Sequence, residues 1–368
     1  MTDFMDAWNV KEKDFPKDGS PAEKLAFCVR YAILAPSTYN TQPWYFKISN
    51  DTVGVYADRR HALPVIDSDD RELTLFCAAA LYNLRLAIQY FGFTAITEIL
   101  PDPKDQDLLA RVKLGEAREP STTEKELFSV ITKRHFNRGA FSNKDVPEEA
   151  LTLLKNAAAE EGAWLHICDD IERGIVLQMV IEGDHMQTSK KNFRRELAAW
   201  VNPRRSMSGD GLPQYGQSFA NIMGQMTPSI IRRFEVDGAA PANDTQLSEG
   251  TPVLAILGSN SGGTVETMYA GQSFMRLLLR AQHLGLSMSP LNQPCEVPEL
   301  RLRLHDEMMH PGRAQMILRI GYGGKAVPTP RRPIESFIEF EGKAPESFAS
   351  AKVASKKGFF SKLLAKRA

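Results

Sequence analysis

The chain has 368 residues, of which 43% are hydrophobic and 24% are charged, proportions typical of a globular protein rather than a disordered one. Its 45 basic and 45 acidic residues balance overall, but residues 351–368 hold six basic residues and no acidic one. The remaining residues therefore carry a net charge of −6, which argues against the basic face of a nucleic-acid-binding protein.

The cysteines and histidines give no pattern that predicts a metal site. The chain has four cysteines, Cys28, Cys77, Cys168 and Cys295. They are far apart and form no CxxC pair, whereas structural zinc sites take ligands in close pairs. His305 and His310 are five residues apart, on different faces of a helix, so we expect no metal. We also find no apolar run of membrane-spanning length and no signal-peptide core, and we expect a cytoplasmic protein with reduced thiols.

The first part of the sequence predicts a helix, a hairpin, a long helix and two more strands. In chain order these are a helix over 21–35, strands over 45–49 and 53–56, a helix over 71–91, and strands over 94–100 and 109–114. Asn50 and Asp51 are typical of the turn in a hairpin. Gly92 ends the long helix, and the small residues 78–80 indicate close contact with another helix.

The second part predicts a similar succession. Its elements are a helix over 148–162, a strand over 164–168, a helix over 172–184, a strand over 253–257, a helix over 264–284 and a strand over 315–320. Aligning Gly92 with Gly285 pairs ALYNLRLAIQYFGF with SFMRLLLRAQHLGL and suggests an internal repeat. Any two amphipathic helices that end at glycine look alike, so chance similarity stays open. Residues 201–250 are rich in Gly, Pro, Met, Gln and Asn, a composition typical of a long surface loop rather than a core segment.

Two short segments carry most of the functional information. Residues 35–44 have the sequence APSTYNTQPW, and residues 134–138 have the sequence RHFNR. Together they resemble the FMN-dependent nitroreductase family. In that family an APSxxNxQPW turn supplies Pro, Ser and Asn to the flavin, and a basic R-x-S-x-R/K element meets its phosphate and ring edge. The first match is nearly complete, while Phe136 stands where the family usually has Ser.

The order of these segments implies two fused repeats. In the family the basic element precedes the turn within one subunit, and a dimer makes two flavin sites. Here the first repeat has only the turn and the second only the basic element, so pairing them within one chain restores one site. The resemblance covers about residues 22–335 and is to the two-repeat, Acg-type branch. It implies an α+β, nitroreductase-like fold in which each repeat has a mixed, mostly antiparallel sheet flanked by helices, forming an intramolecular pseudo-dimer.

The resemblance and the composition together predict four parts of the chain. They are an N-terminal lead (1–20), a first repeat (21–120), a second repeat (121–340) with a lid insertion at 201–250, and a basic tail (341–368). In the tail, Phe359, Phe360, Leu363 and Leu364 recur at helical spacing among lysines. This pattern fits weak contact with an anionic membrane surface, and it fits a loose soluble tail equally well.

The resemblance also implies a set of cofactor-binding residues. They are Pro36, Ser37, Thr38, Asn40, Gln42, Arg134, Asn137, Arg138, Pro290, Leu291, Asn292, Arg331 and Arg332. Ser37 and Asn40 are expected to hydrogen-bond the ring or the ribityl chain, and Pro36 to pack on it. Residues 289–293 occupy the place of a family loop whose backbone N–H groups face the flavin.

The arginines have separate expected roles. Guanidinium groups grip phosphate oxygens with planar donor forks and stay charged, so Arg134 and either Arg331 or Arg332 are the phosphate candidates. Arg138 is expected at the N1/O2 edge, where a cation raises the flavin potential. No catalytic acid or base can be named, because the hydride chemistry belongs to the flavin.

The implied function is that of an oxidoreductase. FMN would take a hydride from NAD(P)H and pass it to a quinone, a nitroaromatic or a similar planar acceptor. The alternative, from a different class, is a flavin-sequestering or storage protein with FMN buried under a lid and little turnover. A weaker third possibility is a metabolite-specific dehydrogenase on the same fold. We expect a small-molecule substrate, no nucleic-acid partner, and a monomeric pseudo-dimer or a weak homo-oligomer.

Overall fold

A computed structural model of the chain describes residues 4–137, 139, 141–201, 208–212, 251–308, 312–342, 344–345 and 348. The predicted lid at 201–250 lies outside the described residues except for 201 and 208–212, and most of the tail at 341–368 lies outside them too. Arg138 is also outside them. Of the helices that are described, none is long and apolar enough to cross a membrane.

Nine α-helices are described, and three of them are 20 residues long. They are α1 Pro21–Ala32, α2 Arg71–Tyr90, α3 Thr122–Phe128, α4 Glu148–Ala159, α5 Asp170–Ser189, α6 Lys191–Val201, α7 Thr264–His283, α8 Gln293–Glu296 and α9 Pro298–Met308. Helix α1 begins at a capping box: the Ser20 hydroxyl accepts from the Glu23 N–H, and the Glu23 carboxylate accepts from the Ser20 N–H. Such local signals are why the sequence placed this helix correctly.

The described strands form two sheets. They are β1 Trp44–Ser49, β2 Thr52–Ala57, β3 Phe93–Ile99, β4 Leu108–Ala117, β5 Trp164–Ile167, β6 Val253–Ser259, β7 Ser287–Pro290, β8 Arg313–Gly321 and β9 Ile338–Phe340. The first sheet has five strands in the order β3-β4-β2-β1-β9, antiparallel except for the β1–β9 pair. The second has four strands in the order β5-β6-β8-β7, all antiparallel. The architecture is α+β, as predicted.

The two sheets repeat one topology. We read the strand order across each sheet from the strand that follows its long helix, α2 in the first half and α7 in the second. The orders are then β3-β4-β2-β1 and β7-β8-β6-β5. In both halves a 20-residue helix connects the second strand to the third. Each long helix is followed at the same distance by a left-handed glycine, Gly92 with φ 90° and Gly285 with φ 74°. A chance likeness of two helices would not reproduce the strand order, so the internal repeat is confirmed.

The two long helices join the halves. Helix α2 contacts β2, β3 and β4, α7 contacts β6 and β7, and the two helices contact each other. At Gly271 a Cβ atom would lie 2.2 Å from the carbonyl oxygen of Leu75 and 2.6 Å from the Cβ of Ala78, so this crossing has no room for a side chain. Residues 78–80 are fully buried, as their size predicted. One continuous apolar core therefore spans both repeats.

Several described elements were not predicted, and three departures bear on the site or on the first sheet. Residues 289–293 were expected to form a loop, but Ser289 and Pro290 end strand β7 and Gln293 begins α8. Strand β9, which was not predicted, pairs in parallel with β1 and so returns the end of the chain to the first sheet. The basic element was expected just before a helix; Arg134 follows a 3-10 turn, Ile131–Lys133, and the next described α-helix, α4, does not begin until Glu148. In each case long-range pairing, rather than local periodicity, decides the conformation.

Candidate functional site between the two repeats

A cavity of about 110 Å³ collects residues from three of the predicted segments. Ser37 and Thr38 come from the APSTYNTQPW turn, Phe136 comes from the basic element, and residues 290–292 come from the β7–α8 connection. These segments are far apart in sequence and belong to different repeats. The fold therefore brings one set of predicted residues from each half to a shared cavity.

The APSTYNTQPW turn has an unusual backbone. Tyr39, Asn40 and Gln42 have positive φ angles of 50°, 57° and 54°, a region that non-glycine residues seldom adopt and that clusters at functional sites. Hydrogen bonds hold the turn: the Gln42 N–H donates to the Ser37 hydroxyl over 2.8 Å, and the Gln42 side chain donates to the Gly209 carbonyl over 2.9 Å. The reversal leaves Tyr39 lining the cavity and turns Asn40 and Gln42 away from it.

Asn40 and Gln42 belong to a buried network beside the cavity. The Asn40 side-chain oxygen accepts from Arg331 over 3.0 Å, and its amide donates to the Pro330 carbonyl over 3.0 Å. The Gln42 side-chain oxygen accepts from the Arg332 N–H over 3.0 Å. Arg332 donates to the Gln42 carbonyl over 2.7 Å, and its guanidinium lies over the Phe337 ring. These polar groups are used within the protein, and their cofactor-binding roles stay predictions.

Arg331 lies at the carboxyl end of α1. Its guanidinium donates to the carbonyls of Ile33, Leu34 and Ala35 over 2.7, 3.1 and 2.9 Å. The last carbonyls of a helix lack partners within it and carry the negative end of the helix dipole. Burial lowers the pKa of Arg331 well below its ordinary value, as does the neighbouring cation Arg134. The arrangement makes Arg331 the C-terminal cap of α1.

Arg134 lies beside this cap and has spare hydrogen-bonding capacity. It is 4% exposed, and it donates from Nη2 to the Leu34 carbonyl over 3.0 Å. Within the described part of the chain its Nε has no hydrogen-bond partner. Burial lowers the pKa of Arg134 to about 10. Its guanidinium lies 5.4 Å from the centre of the Phe136 ring, and Phe136 lines the cavity. A buried cation with an unused donor is the kind of group that an anion would satisfy.

Asn137 fixes the basic element to the second repeat. Its N–H donates to the Met288 carbonyl over 3.3 Å, and its side-chain amide donates to the Gly324 carbonyl over 2.8 Å. Its side-chain oxygen accepts from the Gly139 N–H. This residue therefore has a clear role in positioning the element, while its predicted contact with a cofactor stays a prediction.

The cavity also has an acidic side that the sequence analysis missed. Glu72, which is 2% exposed, accepts from the Thr38 hydroxyl over 2.6 Å and from the side-chain amide of Asn292. Arg71 lies 3.2 Å from the same carboxylate. Glu72 thus joins the turn of the first repeat to the β7–α8 connection of the second. A sequence signal existed, because Arg71 and Glu72 are charged residues at the start of an otherwise apolar, buried helix.

A second carboxyl group on the same side has a raised pKa. Glu296 lines the cavity and accepts from the Gln187 side chain over 2.6 Å. Burial and the charge of Glu72 raise the pKa of Glu296 to about 8, against the opposing influence of Gln187 and Arg71. Burial and Glu72 also raise the pKa of Asp67, to about 7. Since like charges packed together disfavour ionisation, this side of the cavity favours the neutral form of a carboxyl group.

The chain is similar to curated proteins over nearly its whole length. No family model matches the sequence. A protein of Mycobacterium tuberculosis (strain ATCC 25618 / H37Rv) named "Putative NAD(P)H nitroreductase Rv3131" is 28% identical over 87% of this chain and 92% of its own length. The resemblance to nitroreductases seen in the sequence is thus supported by a relative that carries that name. The same organism has a second similar protein named for this activity, "Putative NAD(P)H nitroreductase acg", which is 23% identical over 86% of this chain and 95% of its own length.

Solved nitroreductases also appear among the structural neighbours of this chain. One is the FMN-dependent nitroreductase NfnB from Mycobacterium smegmatis in complex with NADPH, which is 15% identical, covers 59% of this chain and 99% of its own, and has a TM-score of 0.37. Another, a nitroreductase-type protein from Anabaena variabilis, is 12% identical, covers 79% of this chain and 82% of its own, and has a TM-score of 0.42. At these TM-scores the similarity to the solved structures is weak, and the resemblance to nitroreductases depends on the sequence relatives.

Proposed function

We propose that this protein is an FMN-dependent oxidoreductase that accepts a hydride from NAD(P)H and passes it to a small planar acceptor such as a quinone or a nitroaromatic. The observation that carries the proposal is the composite cavity, in which Ser37 and Thr38 of one repeat meet Phe136 and residues 290–292 of the other. The names of the Mycobacterium tuberculosis relatives support the same activity. With both sets of residues on one chain, we expect a monomer to hold the site.

The chemistry of the residues fits FMN. Aromatic rings, Phe76 and Phe136, line the cavity together with the hydroxyl and amide groups of Ser289 and Gln293, a mixture that suits a flat ring with apolar faces and polar edges. The side-chain oxygen of Gln293 is buried without a hydrogen-bond partner among the described residues. At the phosphate end, the unused Nε donor of Arg134 suits a group with about two negative charges.

The chain's own residues would orient the reactants and handle a proton. When bound, FMN supplies the hydride chemistry. The hydrogen bonds from Thr38 and Asn292 to Glu72 hold the two repeats together at the cavity wall. Reducing a carbonyl or nitro oxygen needs a proton as well as a hydride. We assign that proton to the carboxyl group of Glu296, which lines the cavity and would donate it to the acceptor oxygen.

The direct test is reconstitution with FMN. Full-length protein should bind about one FMN per chain, because one composite site is formed, and the flavin should bleach anaerobically on addition of NADH or NADPH. Arg134→Ala should weaken FMN binding by roughly 10- to 100-fold, as expected for losing a hydrogen bond from a charged group of about 1.5–3 kcal/mol. Arg303→Ala is the matched control, because Arg303 is 42% exposed and pairs with Glu182.

The possible outcomes separate the candidate functions. Two FMN per chain would contradict the composite site. One tightly bound FMN that neither NADH nor NADPH reduces would support flavin storage instead of turnover. If the chain binds no FMN at all, both flavin functions are wrong.

The role of Glu296 predicts a pH dependence of acceptor reduction. An acid must be protonated to donate, so the rate should fall as the pH rises through about 8. Glu296→Gln should reduce the rate at pH 7 by about 100-fold, within the usual range for loss of a general acid, and should remove this alkaline limb. Flavin reduction by NAD(P)H should be unchanged. Glu299→Gln, at an exposed position of α9, should behave like the wild type. An alkaline limb that persists in Glu296→Gln would assign the proton to another group.

A further inference from the structure

We propose that His166, Cys168 and Glu172 form a binding site for a divalent cation of the zinc class, outside the cavity. Each residue offers one ligand atom, and these three atoms all lie within 4.8 Å of one another. The Nε2 atom of His166 lies 2.8 Å from a carboxylate oxygen of Glu172. Imidazole nitrogen, thiolate sulfur and carboxylate oxygen are the three donors that zinc takes in proteins.

Regular backbone structure places the three side chains together. His166 belongs to β5, at the edge of the second sheet. Residues two apart on a strand point to the same face, and Cys168 continues the pairing of β5, since its N–H donates to the Leu254 carbonyl over 2.9 Å. Glu172 lies in the first turn of α5, where a capping box with Asp169 holds it. The ligand atoms therefore converge before any metal binds.

Helix capping alone does not account for the cluster. The capping box needs only Asp169 and Glu172, and His166 adds a hydrogen bond to the carboxylate. Neither the capping box nor this hydrogen bond requires the Cys168 thiol to lie beside the two side chains. Cys168 is partly exposed, whereas Cys28, Cys77 and Cys295 are at most 1% exposed, so within the described part of the chain the accessible thiol is the one beside a histidine and a glutamate.

The three ligands leave room for a fourth. A zinc ion is usually four-coordinate, and sites with three protein ligands add water or another molecule. A cavity of about 10 Å³ lined by His166 and His305 adjoins the cluster, and this is close to the smallest volume that holds one water. His166, Cys168 and Glu172 are spaced two and four residues apart in the sequence. This pattern contains no CxxC pair, which is why the sequence analysis expected no metal.

The cation would have a structural role rather than a catalytic one. It links the edge strand β5 to the first turn of α5. At the other end of α5, Asp184 and Gln187 line the cavity. Glu172 and Asp184 are separated by about 18 Å along a helix that rises about 1.5 Å per residue, so the cation would not touch a ligand in the cavity. Its expected effect is on the stability of α5 and the second sheet, independent of the proposed oxidoreductase activity.

Cobalt titration of the full chain tests the site. Metal-free protein titrated with CoCl₂ should bind one Co²⁺ per chain with a sulfur-to-cobalt charge-transfer band, and ZnCl₂ should displace the cobalt and raise the melting temperature. Cys168→Ser should abolish that band. Glu172→Gln should weaken binding at least about tenfold, since losing even a group that orients a ligand costs about 10- to 100-fold. Glutamine also serves in a capping box, so this variant should fold normally.

Glu126→Gln is the matched control. Glu126 lies 3.8 Å from His283 with similar exposure, but it is not part of a three-ligand group among the described residues, so its replacement should leave cobalt affinity unchanged. The proposal is overturned if the wild type shows no charge-transfer band at stoichiometric cobalt, or if the band survives in Cys168→Ser. Equal loss of affinity in Glu126→Gln and Glu172→Gln would also overturn it.

Discussion

Replacing Arg331 by alanine should lower the free energy of unfolding by at least about 3 kcal/mol. The guanidinium donates to the carbonyls of Ile33 and Ala35, and each buried acceptor left without a donor costs about 1–3 kcal/mol. The Leu34 carbonyl would keep its hydrogen bond from Arg134. The change also removes the cation from the negative end of α1 and leaves a void, because Arg331 is only 2% exposed. Urea unfolding followed by circular dichroism measures the loss.

Two further variants make the result specific. Arg331→Lys should be intermediate, since an ammonium group keeps the charge but lacks the planar fork that reaches several carbonyls. Arg303→Ala should stay within about 0.5 kcal/mol of the wild type, because it removes only a surface ion pair. If Arg331→Ala unfolds like the wild type but loses FMN, the helix-cap interpretation is wrong and the phosphate role expected from the sequence gains support.

The second large effect is expected at the crossing of the two long helices. Gly271→Ala should destabilise the protein by about 3 kcal/mol or more, at the upper end of the usual cost of overpacking. The new methyl group would lie 2.2 Å from the Leu75 carbonyl oxygen, and a backbone atom cannot move aside as a flexible side chain can. Because α2 and α7 join the repeats, their separation should also impair FMN retention. Thermal unfolding and FMN titration measure the two effects.

Gly174→Ala is the control for the crossing. Gly174 is also helical, within α5, but a Cβ there meets nothing within 4 Å among the described residues. Alanine should therefore stabilise the protein by about 0.4–1 kcal/mol, through its better helix propensity and a less flexible unfolded chain. Stabilisation by Gly271→Ala of the same size would show that the helices do not meet as closely as the structure has them.

Much of the fold could be predicted from local sequence because the deciding interactions are local. The apolar spacing of α2 and α7, their terminal glycines Gly92 and Gly285, and the Asn50 turn of the first hairpin all act within a few residues. Their equal placement in the two halves suggested the repeat but left chance similarity open, and the strand orders then confirmed the repeat. The same holds for the segments that reach the cavity, since residues 37–38 and 290–292 lie in recognisable motifs.

Only the tertiary structure decided what depends on groups distant in sequence. Strand β9 exists because residues 338–340 pair with residues 46–48, and a three-residue strand has no periodicity of its own. Arg331 donates to the carbonyls at the end of α1 from about 300 positions away, a contact that its sequence context did not suggest, and its expected role at the phosphate stays a prediction. Glu72 and Glu296 belong to helices of different repeats, and the pKa of Glu296 is raised because folding desolvates it near the charge of Glu72. Burial and the approach of like charges are properties of packing, and no local pattern of residues encodes them.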